Sequence, residues 1–71
     1  MEERVREIIA DILGIDAGEL VLSTDITSIE SWDSMAQVRI IAELEDYFTC
    51  SIPIESIKLL RKVEDFVNMV S

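Results

Sequence analysis

Histidine is absent from this chain, which removes Ser-His-Asp and Cys-His catalytic arrangements and imidazole metal sites. The lone cysteine, Cys50, cannot form an internal disulfide, so the usual staple of small secreted domains is missing. Two glycines and one proline are too few for the many turns of a typical all-β domain. No apolar run approaches the length of a membrane span. The opening Met1-Glu2-Glu3 carries neither a basic nor an apolar export segment, so the cytoplasm is the expected compartment. Positive charge is scarce: six Lys and Arg face fifteen Asp and Glu, a formal net charge of -9. That field repels a phosphate backbone or an anionic membrane surface, which excludes nucleic acid and membrane as partners and favours basic protein surfaces.

What remains is 71 residues, 49% of them hydrophobic and 30% charged. The chain is too apolar for a disordered acidic tail and long enough for only one core, so residues 1–71 are expected to form a single domain, and a monomer.

The apolar spacing is helical. Val5, Ile8, Ile9, Ile12 and Leu13 fall at i, i+3, i+4, i+7 and i+8, one stripe of a first helix. Glu2 and Glu3 suit its positive end, and Gly14 can close it in the left-handed conformation. From Ile15 to Asp33 the period dissolves among turn and cap formers. This predicts a long loop crossing the bundle, pinned by Leu20, Leu22, Ile26 and Ile29. The alternation in Leu20-Val21-Leu22 hints at a strand but has no second strand to pair with.

Ser34 to Phe48 reads as a second helix. Ile40, Ile41, Leu44 and Phe48 share its core side, while Met35, Val38 and Ala42 form a neighbouring strip edged by Arg39, Glu45 and Asp46. That strip is either a widened core contact or a surface that meets a partner. Thr49 to Ile54, with Pro53, predicts a short connection. Ile54, Ile57 and Leu60 then give a short helix, and Val63, Phe66, Val67 and Val70 a final one. Arg61-Lys62 supplies no Ser, Thr, Asp or Asn cap, so this junction and the first loop are expected to be the most mobile parts. The predicted fold is all-α, a four-helix bundle of three main helices and one short one.

The segment most informative about function is Trp32-Asp33-Ser34-Met35, where the long loop becomes the second helix. Ser34 with Gln37 has the spacing of a capping box, and Asp33 is itself a good cap. Nothing in the sequence near Ser34 can activate its hydroxyl, so any chemistry there must be supplied by another protein.

Leu13-Gly14-Ile15 closing the first helix, the long loop, Asp33-Ser34-Met35, Glu43-Leu44-Glu45-Asp46-Tyr47-Phe48 and Ile52-Pro53 together resemble the acyl carrier protein family over nearly the whole chain. The resemblance implies a non-catalytic carrier whose Ser34 bears a covalent 4'-phosphopantetheine arm from coenzyme A. A separate Mg²⁺-dependent phosphopantetheinyl transferase would attach it, and Asp33 would help present Ser34. It also implies that Met35, Val38, Arg39, Ala42, Glu45 and Asp46 form a recognition surface for acyl-handling enzymes with basic docking patches. Arg39 departs from the carboxylate usual in fatty acid carriers, and Ser31-Trp32 replaces their Gly-containing stretch. Both departures point to a discrete carrier of a specialised, polyketide-like or other secondary pathway. Trp32 is expected as a core plug rather than a partner contact. Met35 for the usual Leu keeps an apolar contact. An aminoacyl or peptidyl carrier, or an unmodified helical interaction module, are the competing readings.

Elsewhere the bland readings hold. Cys50, without a basic neighbour, is expected to be an inert, partly buried thiol. The loop acids Asp16, Glu19, Asp25, Glu30 and Asp33 lack the spacing of a calcium loop, so no metal site is expected.

Overall fold

The computed structural model describes residues 1–71. Helix α1 spans Glu2–Leu13, α2 Ser34–Phe48, α3 Ile54–Ile57 and α4 Val63–Val70, with single 3₁₀ turns at Ala17–Glu19 and Ile26–Ser28 in the long first loop. The architecture is the expected all-α bundle of three main helices and one short one. Helix α1 packs against both α2 and α4.

Local chemistry explains where the elements stop. Gly14 takes the left-handed conformation (φ 71°), and its amide and that of Ile15 return to carbonyls of α1. Helix α2 ends on Thr49, also left-handed at φ 52° although its side chain is β-branched. The core draws Val5, Ile9 and Leu13 from α1, Ile40, Ile41 and Leu44 from α2, and Val63 and Phe66 from α4. Ile8 and Ile12 flank that stripe half-buried, and Phe48 packs half-buried at the end of α2, edge-on to Tyr47.

The loop is pinned differently from the expectation. Leu20 and Ile26 are buried and Ile29 packs against the core, but Leu22, 37% exposed, is not part of it. It is the Leu22 backbone that anchors: its carbonyl accepts the Glu64 amide at 2.9 Å. Beside it, Ile26 N–H donates to the Arg61 carbonyl at 2.8 Å and Val63 N–H to the Thr24 carbonyl at 3.0 Å. These bonds, with an isolated antiparallel bridge between Asp25 and Lys62, stitch the loop to the start of α4 without making a strand. The junction expected to be loose is therefore tied. A carboxylate three residues into α4 serves in place of a cap, since Asp65 accepts the amides of Arg61 (3.1 Å) and Lys62 (2.9 Å).

Helix α3 is a single turn. Ile54 opens it largely exposed, Ile57 is half-buried, and Leu60, read as part of the same helix, lies beyond its end and is buried.

Candidate functional site

The site is built where the first loop meets α2. Asp33 is the N-cap: its backbone is extended and its Oδ1 accepts the Ala36 amide at 2.7 Å. Ser34 is thereby the first helical residue, exposed to solvent. The Ser34–Gln37 capping box does not form, because the cap falls on Asp33 and the Gln37 side chain turns inward.

Gln37 is buried, and its amide is used on both sides. Its Oε1 accepts the indole Nε1–H of Trp32 at 2.9 Å, while its Nε2 donates to the carbonyls of Leu60 (3.1 Å) and Ile57 (3.3 Å). Trp32 is half-buried against the core, a plug whose one polar atom is paired. Sequence reasoning missed Gln37 as a structural polar residue; a glutamine at a helix start resembles a box partner, and two of its three partners lie 20 and 23 positions away.

Beside Ser34 runs a groove of about 540 Å³ whose lining includes Thr27, Trp32, Gln37, Val38, Ile57, Lys58 and Arg61. Asp25 stands in the loop beside two of these residues. The Thr27 hydroxyl, hydrogen-bonded to Asp25 Oδ1, is the main reason the carboxyl lies below its ordinary value of 3.8. Partial burial opposes this, and the Thr27 amide (2.9 Å) and the Arg61 guanidinium (3.1 Å) add to it.

The strip on α2 divides. Met35, Val38, Arg39, Ala42 and Asp46 are exposed, with Met35 at 70% and Val38 at 59%, which settles against these two widening the core contact. Glu45 is half-buried and accepts the Ile52 amide at 2.7 Å, so it also fastens the connection to α3. Cys50 is half-buried and packs against the core. No helix is long and apolar enough to cross a membrane.

The bundle thus offers an exposed serine at the first position of its second helix, beside a groove. Residues 3–70 match the sequence profile of the family described as phosphopantetheine attachment site. Over 68 residues the chain is 37% identical to the acyl carrier protein of Clostridium acetobutylicum, covering 96% of this chain and 88% of that one. The chain belongs to the acyl carrier protein family, whose members carry covalently attached phosphopantetheine. The residues present suit that group: the serine is open to an incoming enzyme, and the adjoining groove offers both apolar and cationic lining.

Proposed function

We propose that Ser34 is the attachment point and that the chain is a discrete acyl carrier, a single domain and itself no catalyst. The observation that carries this reading is the exposure of Ser34 as the first residue of α2, fixed there by the Asp33 cap. A phosphodiester on its Oγ would lie at the positive end of a 15-residue helix, near amides that have no helical carbonyl to bond. In the modification the Ser34 Oγ–P bond forms as the pyrophosphate link of coenzyme A breaks. The hydroxyl proton passes to a base on the transferase, and the nucleotide leaves with the bonding pair. The arm's thiol would supply the thioester linkage for an acyl group. Asp33 holds Ser34 in place through the cap, and its remaining carboxylate oxygen stays available to the transferase and its Mg²⁺.

Met35, Val38, Arg39, Ala42, Glu45 and Asp46 form the docking strip. Its apolar centre suits hydrophobic contact, its carboxylates suit basic patches on acyl-handling enzymes, and Arg39 repels partners that expect a carboxylate there. This supports a specialised pathway rather than general fatty acid synthesis. Reconstitution tests that assignment. The loaded protein is expected to fail as the carrier in a purified bacterial fatty acid synthase system, and Arg39→Glu to raise turnover there. Efficient support of synthesis by the unaltered protein would overturn the specialised assignment and leave the attachment reading standing.

A further inference from the structure

Gln37 is the one buried polar residue in the chain, 7% exposed, three positions on from Ser34. Ile40 and Leu44, three and seven residues further along the same inward face of α2, are fully buried. Gln37 thus stands between the groove at Ser34 and the interior of the bundle. It does so fully bonded, to Trp32 on one side and to the carbonyls of Ile57 and Leu60 on the other. A chain passing from the groove into the core between α2 and the 57–60 segment must part those bonds. An acyl methylene returns no hydrogen bond, so the glutamine amide and two carbonyls would be left unpaired in apolar surroundings. The groove's lining is mixed, with Thr27, Lys58 and Arg61 beside Trp32, Val38 and Ile57, so it can cover a short or polar group but offers no buried channel for a long apolar one.

We infer that Gln37 is a lock that keeps the acyl group outside the bundle, so that this carrier serves short or polar acyl groups. The inference rests on the attachment reading for Ser34. Gln37 is a positioning residue: it touches the loop and the α3 segment and acts on cargo through them.

The test loads the full chain with acetyl or decanoyl arms from the corresponding coenzyme A thioesters, using a broad-specificity phosphopantetheinyl transferase, with intact mass confirming each product. In the unaltered protein the methyl NMR signals of Ile9, Ile40 and Leu44 are expected to coincide between the two forms. Thioester cleavage by hydroxylamine should differ less than twofold. In Gln37→Ala the decanoyl form alone is expected to shift those signals and to slow cleavage severalfold. Gln37→Met, which keeps the volume but loses the donor, should follow the same direction and serves if the alanine variant does not fold. Decanoyl-dependent core shifts in the unaltered protein, or variants that behave like it, overturn the lock while leaving attachment intact. Absence of any mass gain overturns both, because an untethered chain has no cargo to exclude.

Discussion

The indole of Trp32 donates to the side-chain oxygen of Gln37 at 2.9 Å, joining the last turn of the first loop to the inner face of α2. Since the same glutamine reaches Leu60, one amide ties the first loop and α2 to a segment 23 residues further on. Gln37→Leu fills similar space yet strands Trp32 Nε1 and the two carbonyls. The expected loss is about 2 kcal/mol in urea unfolding. Emission from the only tryptophan should shift to the red as its bond is lost. Unchanged stability would show that these bonds add nothing beyond packing.

The Asp33 cap separates two roles by substitution. Asp33→Ala should cost about 1 kcal/mol in thermal or denaturant unfolding, whereas Asp33→Asn keeps an acceptor and should cost little. If the carboxylate also assists the transferase, the asparagine variant will be modified more slowly at unchanged stability. Equal modification rates for Asp33→Asn and the unaltered protein would confine Asp33 to capping.

Thr49 sits at φ 52°, where a β-branched side chain crowds the backbone. Thr49→Gly should therefore stabilise the fold by about 0.5–1 kcal/mol, even though glycine gains entropy when unfolded. A lower melting temperature in this variant would contradict the left-handed ending of α2.

Asp25 gives a pH signature. Its folded value lies below 3.8, with the Thr27 hydroxyl as the largest cause, so the unfolded chain binds its proton first on acidification. The stabilisation is present above the ordinary carboxylate value and is lost as pH falls through the lower folded one. Asp25→Asn should be less stable than the unaltered protein at pH 7, and the gap should close as pH falls below the ordinary carboxylate range. A gap that stays constant with pH would assign the effect to something other than the charge.

The excess of fifteen acids over six bases predicts self-repulsion at neutral pH. Melting temperature should rise with salt from low to moderate ionic strength, and rise further with divalent cations. A flat salt series would mean the acids are too dispersed to repel.

What the sequence disclosed was what is local. The stripe from Val5 to Leu13 announces its helix because a 3.6-residue period needs no partner to be seen, and Gly14 closes it where a left-handed residue is least strained. Ser34 was legible for the same reason: a cap former at the end of a loop marks a helix start, though the cap proved to be Asp33. Leu22 misled because burial depends on which way a turn rolls, and here its carbonyl rather than its side chain makes the anchor. Gln37 and Glu45 were opaque because their partners, Leu60 and Ile52, come from other segments. The Lys62–Asp65 spacing was a local signal that a search for Ser, Thr, Asp or Asn caps passes over.

The central claim is that one hydroxyl, on Ser34, receives the arm. Incubation of the purified chain with coenzyme A, Mg²⁺ and a broad-specificity phosphopantetheinyl transferase, followed by intact mass, tests it directly when run beside Ser31→Ala and Ser34→Ala. The unaltered protein and Ser31→Ala should each gain a single phosphopantetheine, and Ser34→Ala none. A Ser34→Ala protein that still gains the full mass, or an unaltered protein that gains nothing with several transferases, would contradict the account.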